Sequence, residues 1–188
     1  MKLLVTCIAL FFSFTQQVIS QSTTYDNMQI VLQWAPTFCG RNKYCNNPVP
    51  QSFTLHGLWP ANSIGYSLQC APPPQDTSVW TTDRPLRTAL QNCWYSLIRG
   101  RPDYILWKHE WKYHGYCSSH TIKDTDYFWA AVRKYGENTK IVGKAIVDKL
   151  SGEGINPSND KDYKKSAITS ALSEILGFNC CGSQMYIV

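Results

Sequence analysis

The sequence predicts an α+β fold, in which a central antiparallel sheet packs against several helices. Strand-like runs of apolar and β-rich residues lie near both ends of the chain, at residues 28–34, 53–56 and 184–188. The stretch between residues 83 and 176 has helical patterns instead. Strands from the two ends can bury their apolar faces by packing against these intervening helices.

Loops are predicted on both sides of the second strand. This strand, residues 53–56, ends where Gly57 and Pro60 favour a turn. Residues 35–50 are rich in proline, glycine and asparagine, and residues 61–80 contain three consecutive prolines. Both segments are therefore predicted to lack regular structure.

The first predicted helix begins after Asp83, which suits an N-cap, and has Pro85 in its first turn. It runs to about Arg99, where the sequence Gly-Arg-Pro of residues 100–102 breaks it. The other predicted helices cover residues 103–117, 124–135, 140–150 and 160–176.

Residues 1–20 have the pattern of a secretory signal. Lys2 supplies the positive start, and residues 3–14 form an apolar run too short to span a bilayer. No later run is apolar enough for a membrane span. We therefore expect a secreted, extracellular protein whose single mature domain covers residues 21–188.

The mature chain keeps seven of the eight cysteines, because Cys7 lies in the signal. In a secreted protein this number predicts a disulfide framework with one thiol left over. Spacing does not fix the pairing, although Cys39 and Cys45 would close a short loop easily. There is no CxxC pair for zinc. The net charge of +5 and the aromatic content suit a polyanionic partner.

Residues 109–117, with the sequence HEWKYHGYC, contain two of the four histidines. Each residue of a helix turns about 100°, so four of these side chains are predicted to share one wide face. They are His109, Glu110, Tyr113 and His114. Lys112 lies about 60° to the other side of His109. A third histidine, His56, lies in the segment FTLHGLWP of residues 53–60.

The spacing of these histidines argues against a zinc protease. Zinc proteases of the HExxH type have histidines four residues apart, whereas His109 and His114 are five apart. The GxSxG, phosphate-loop and dinucleotide motifs are also absent.

Acid–base cleavage of RNA suits the residues better. RNA carries its own nucleophile, the 2′-hydroxyl, so the protein needs a base, an acid and donors around the phosphorane, but no metal or cofactor. Histidines on two elements can supply the acid and the base, and aromatic side chains can stack on bases.

Several segments resemble the ribonuclease T2 family. FTLHGLWP at 53–60 and KHEWKYHGYC at 108–117 are similar to its two active-site segments. VLQWAPTFC at 31–39 resembles its first core strand and first cysteine, and GINPS at 154–158 also fits. The likeness spans nearly the whole mature chain. The basic charge, LQW and the C-terminal pattern are most similar to the plant S-RNases of gametophytic self-incompatibility.

The resemblance implies a role for each matching residue. His114 would be the general base, His56 the general acid, His109 a phosphate contact and Glu110 a transition-state organiser. Further substrate contacts would come from Gln33, Trp59, Trp107, Lys112 and Tyr113. The shared disulfides would be Cys39–Cys45 and Cys70–Cys117.

The chain departs from the family pattern HEWxKHGTC at two places. Tyr113 occupies the lysine position, with Lys112 one residue earlier, and Tyr116 replaces threonine. A neutral phenol near the phosphorane predicts reduced activity. The family normally continues past a strand like 184–188, so we also expect a partial C-terminus. The pairing of Cys93, Cys180 and Cys181 stays open, with a free thiol at Cys93 as one alternative.

The resemblance thus implies a secreted, monomeric endoribonuclease that acts on single-stranded RNA through a 2′,3′-cyclic phosphate. As an S-RNase it would have pollen F-box proteins as partners. The alternatives are an S-like ribonuclease in defence or phosphate scavenging, and a weak or inactive relative that serves as a storage or binding protein.

Overall fold

The computed structural model describes residues 24–40, 44–68, 70, 76–136, 139–156, 161–173 and 185–187. The strands are β1 (Asn27–Trp34), β2 (Phe53–Ala61) and β3 (Met185–Ile187). The helices are α1 (Ala35–Gly40), α2 (Arg84–Cys93), α3 (Asp103–Tyr113), α4 (Asp124–Gly136), α5 (Thr139–Gly152) and α6 (Lys165–Leu172). Two 3₁₀ turns cover Val79–Thr81 and Gly115–Ser118. The predicted signal at 1–20 and the tandem cysteines at 180 and 181 lie outside the described residues.

The sheet has the strand order β2-β1-β3. β1 and β2 are antiparallel, as predicted, whereas β3 joins β1 in parallel, so the sheet is mixed. The β1–β2 register shifts between Val31 and Leu32: Val31 pairs with Gly57 and Leu32 pairs with Leu55. His56 is therefore the extra residue of a β-bulge, a feature that redirects side chains.

Two predictions around the sheet were wrong. β2 continues to Ala61 rather than turning at Gly57 and Pro60, and it is an edge strand, which tolerates a proline. The predicted loop at 35–50 begins with α1, whose first turn contains Pro36 at a position that favours helix initiation.

The helix after Asp83 is confirmed at its start and is shorter than predicted. The Asp83 carboxylate accepts a hydrogen bond from Leu86 N at 2.9 Å. α2 ends at Cys93 rather than near Arg99, because residue 98 forms a β-bridge with Cys45. The residues after α2 therefore run alongside the loop that precedes β2.

The remaining helices lie close to their predictions. α4 and α5 extend one or two residues beyond the predicted ranges 124–135 and 140–150. α6 starts later than residue 160, since residues 161–164 are not helical, and the part predicted beyond 173 lies outside the described residues. None of the described helices is both long and apolar enough to cross a membrane.

Aromatic side chains make up much of the core, to which the strands β1 and β2 and the helices α2–α6 contribute. The largest are Trp80, Trp94, Trp107, Trp111, Tyr127 and Phe128. Several of their rings meet edge to face, a favourable arrangement for aromatic pairs. This packing fixes α3 and α4 against the strand that carries His56.

The structure contains the disulfides Cys39–Cys45 and Cys70–Cys117. The second joins the loop after β2 to the 3₁₀ turn after α3. Cys93 has a free thiol, and burial raises its pKa to about 11.

Candidate active site

His56 is held at the bulge of β2 by contacts at both its backbone and its ring. Its carbonyl oxygen accepts a hydrogen bond from the Trp94 indole at 2.9 Å. Its ring Nδ1 lies 3.1 Å from Gln33 Oε1. An amide oxygen can only accept, so this bond places the proton on Nδ1 and directs proton exchange to Nε2.

Glu110 lies on α3 beneath His56 and is fully buried. Its Oε2 accepts a hydrogen bond from the Trp59 indole at 2.8 Å, and its Oε1 lies 3.7 Å from His56 Nε2. Burial raises the pKa of Glu110 to about 8, and the Trp59 bond only partly opposes this. At neutral pH the carboxyl–imidazole pair therefore retains a proton.

Gly57 permits this close approach between β2 and α3. A Cβ atom at this position would overlap Glu110 Oε2 and the Trp59 indole nitrogen. A larger residue would push the carboxylate away from His56.

His114 lies just beyond the end of α3. Its backbone angles, φ −130° and ψ −64°, are not helical, so the predicted helix over 103–117 is wrong after Tyr113. The ring stacks on Trp59 with a centroid distance of 4.2 Å and an interplanar angle of 16°. Burial lowers the pKa of His114 to about 4, with further lowering by the charges of His56 and His109. The ring is therefore neutral near pH 7.

His109 and Tyr113 are exposed neighbours on α3, with ring centroids 4.7 Å apart. Lys112 Nζ lies 5.5 Å from the Tyr113 ring centroid, so its positive charge is close to this pair of rings. Partial burial lowers the pKa of His109, and the charges of Arg101 and Lys112 lower it further. A phosphate placed here would meet an imidazole and two cations.

Trp59 links the two buried parts of the site. Its indole stacks on His114, lies edge-on to His56 at 5.5 Å and donates to Glu110. The arrangement combines a neutral imidazole that can accept a proton with a carboxyl–imidazole pair that holds one. Such a pair can remove one proton and deliver another during a single displacement.

A comparison of the chain with family models matches residues 25–183 to the "Ribonuclease T2 family". The chain belongs to the ribonuclease T2 family. Its fold is also that of the family, as similarity to solved T2 structures shows.

Three plant proteins illustrate what this chain is similar to. Ribonuclease 1 of Arabidopsis thaliana is 33% identical over 167 residues, which cover 85% of this chain and 68% of that protein. A ribonuclease-like storage protein of Panax ginseng is 34% identical, with 77% and 58% covered. The structure of the self-incompatibility-associated SF11-RNase of Nicotiana alata has a TM-score of 0.64 at 27% identity, with 83% and 76% covered.

Two residues that the T2 resemblance assigned to substrate contact are buried in this structure. Gln33 is 4% exposed and holds His56, so it positions the ring. Trp107 is 2% exposed and donates to the Trp94 carbonyl in the core. Trp59 is partly exposed, but His114 covers one of its faces.

The sequence did not single out three further contributors to the T2 site. Gly57 was interpreted only as a turn residue, although a glycine within a strand also signals close approach. Trp94 gave no signal, because its bond to the His56 carbonyl depends on the tertiary fold. Arg101 was interpreted only as part of a helix break, yet its charge reaches His109.

Proposed function

We propose that this T2 protein is a secreted endoribonuclease that cleaves single-stranded RNA without a metal, through a 2′,3′-cyclic phosphate. The observation that carries the proposal is the pair of imidazoles, from β2 and from the end of α3, that contact the same Trp59 indole. Burial keeps His114 neutral, which suits a base, whereas His56 lies beside the Glu110 carboxyl, which suits an acid. Family membership supports the same reaction.

In the first step, neutral His114 accepts the proton of the 2′-hydroxyl. The 2′-oxygen attacks phosphorus and the bond from phosphorus to the 5′-oxygen breaks. The proton from the His56–Glu110 pair passes from His56 Nε2 to the leaving oxygen. In the second step the roles reverse. His56 takes a proton from water, and the water oxygen attacks phosphorus. The bond from phosphorus to the 2′-oxygen breaks, and His114 protonates that oxygen.

His109 and Glu110 have supporting roles in this proposal. His109 holds the phosphate on the exposed face of α3. Glu110 orients His56 and balances its charge, since its Oε1 faces Nε2 at 3.7 Å. Lys112 and Tyr113 border the same phosphate. Because Tyr113 carries no charge where the family pattern has lysine, we propose that activity is present but reduced, with partial compensation by Lys112.

The test is an RNA zymogram of the purified protein, run with and without EDTA, beside His56→Ala and His114→Ala. Cleavage should persist in EDTA, and each substitution should reduce it at least ~100-fold, the usual loss for a positioned acid or base. His120→Ala is the matched control, because His120 is exposed and lies outside the cluster. Absence of cleavage, loss in EDTA, or full activity of either variant would overturn the proposal.

For the biological role, we propose an S-RNase of gametophytic self-incompatibility that acts as a cytotoxin in pollen tubes, with pollen F-box proteins as partners and a monomer as the active form. Similarity to the SF11-RNase of Nicotiana alata supports it. A defence or phosphate-scavenging ribonuclease is the alternative, and expression in style rather than leaf or root would separate the two.

A storage or binding protein is the second class of function. Two observations favour it: the similarity to the ginseng storage protein and the neutral Tyr113. The zymogram decides this as well, since a storage protein with this fold would leave RNA intact while His114 and His56 remained in place.

A further inference from the structure

A second group of charged and aromatic side chains lies outside the cluster of histidines. It consists of Tyr44, Arg99 and Arg101, which we call the arginine–tyrosine patch. Tyr44 is 68% exposed. The Arg99 guanidinium lies 4.3 Å from the Tyr44 ring centroid and donates a hydrogen bond to its hydroxyl at 2.7 Å. The contact therefore holds a guanidinium beside an exposed aromatic ring.

The backbone beneath the patch is fixed. Arg99 N donates to the Tyr44 carbonyl at 2.9 Å, next to the bridge between Cys45 and residue 98. Arg101 N donates to the carbonyl of residue 98 at 3.1 Å, which closes a β-turn. Gly100 has φ 70°, as the third residue of a type II turn requires. Arg99 and Arg101 therefore stand two residues apart on one tight turn.

The two arginines also lack acidic partners. Among the residues that the structure describes, no carboxylate lies within ion-pair distance of either guanidinium. Three lysines elsewhere are paired with acids: Lys108 with Asp76, Lys144 with Asp148 and Lys149 with Glu153. Asp103, the nearest acid in sequence, accepts a hydrogen bond from Ser96 N. The patch therefore presents net positive charge to solvent.

The arginines of the patch lie on the segment that joins two parts of the candidate active site. This segment begins at Trp94, whose indole holds the His56 carbonyl. Arg101 stands two residues before the start of α3, the helix that carries His109 and Glu110, and its charge contributes to the lowered pKa of His109. A strand of RNA that leaves the cleavage site past His109 would meet Arg101 and then the Arg99–Tyr44 pair.

We propose that the arginine–tyrosine patch binds single-stranded RNA beyond the scissile phosphate, with the arginines on successive phosphates and Tyr44 stacked on a base. Guanidinium forks suit phosphate oxygens, and aromatic rings stack on any base. Single-stranded RNA combines both chemistries in one ligand. This inference rests on the proposed function, because the same strand must be the substrate.

The test compares a dinucleoside phosphate with a single-stranded RNA of about twelve nucleotides, a length within the usual range of such sites. For Arg99→Ala/Arg101→Ala, kcat/KM should fall roughly tenfold more on the long substrate than on the short one. The salt dependence of binding should weaken by about one in log–log slope. Tyr44→Ala should lower affinity for the long RNA without changing that slope.

Arg133→Ala is the matched control, since Arg133 also stacks on an exposed ring face, that of Trp129 on α4. It should leave the ratio of the two substrates unchanged. Equal losses on both substrates in the double variant would overturn the inference. Fluorescence anisotropy of labelled RNA on the His114→Ala protein measures binding separately from cleavage. If the parent protein does not cleave RNA, the proposed function fails, but the dependence of binding on the patch can still be measured.

Discussion

Tyr113 is the residue at which this chain departs most from the pattern of its family. It closes α3 with its ring against His109 and with Lys112 Nζ over its face. A phenol can donate a hydrogen bond but supplies no charge to a phosphorane. The Lys112 ammonium lies over the same ring, so a cation remains beside the proposed phosphate contact, although it comes from the neighbouring residue.

We therefore expect Tyr113→Lys to raise kcat on RNA by on the order of tenfold or more, since a positioned cation stabilises the developing charge. Single-turnover rates with saturating protein would measure it. Tyr104→Lys adds the same charge to an exposed site at the start of α3 and should have little effect. Ordinary family rates in the parent, with no gain from Tyr113→Lys, would contradict this account of position 113.

Glu110 makes stability depend on pH in a defined direction. Its pKa is about 8 in the folded protein against 4.5 for a free side chain, so the folded state keeps a proton that the unfolded state loses. The contribution of Glu110 to the free energy of unfolding is therefore complete below about pH 4.5 and is lost as the pH rises to about 8.

Glu110→Gln does not titrate, and its amide oxygen can still accept from Trp59. Its stability relative to the parent should therefore rise between about pH 4.5 and 8, by on the order of a few kcal/mol. Urea unfolding at several pH values would measure this. Glu153→Gln, at an exposed site paired with Lys149, should show no such trend. If the stability of Glu110→Gln varied with pH in parallel with that of the parent, the raised pKa of Glu110 would be refuted.

At the scale of elements, local sequence predicted the strands and helices better than their ends. The start of α2 was predictable because Asp83 caps it through a bond three residues away. Its end was not, because residue 98 pairs with Cys45 across the fold. Gly57 was wrongly predicted to be a turn residue. A glycine is needed there because Glu110, from another element, leaves no space for a Cβ atom.

α3 illustrates the same limit for the site. The helical wheel correctly placed His109 beside Tyr113, but His114 is outside the helix and reaches its position through Trp59. Motif resemblance identified the histidines and Glu110, which the structure brings together. It did not establish the burial of Gln33 and Trp107, because burial depends on packing between elements and is not encoded by the motif.

At the scale of the whole molecule, the Cys70–Cys117 disulfide ties the loop after β2 to the segment that carries His114. It spans 47 residues, against 6 for Cys39–Cys45. Closing a longer loop restricts the unfolded chain more, by about 4 kcal/mol for the long loop and about 2 kcal/mol for the short one.

Replacing Cys70 and Cys117 by serine should thus lower the free energy of unfolding more than replacing Cys39 and Cys45. It should also reduce activity, because Cys70 Sγ lies 3.3 Å from the His114 carbonyl oxygen. Urea denaturation and RNA cleavage of both double variants provide the comparison. Equal stabilities, or full activity without Cys70–Cys117, would argue against this anchoring role.

The position of His114 outside α3 has a consequence for how the protein can change over generations. Its ring stacks on Trp59, and the turn that follows it is tied by the Cys70–Cys117 disulfide, so neither contact uses a side chain on the outer face of α3. If the proposed roles hold, side-chain substitutions at Lys112 or Tyr113 would change the phosphate contact and leave both of these contacts of His114 in place. Selection would then be able to adjust turnover at one helix face while the proposed acid and base stay the same.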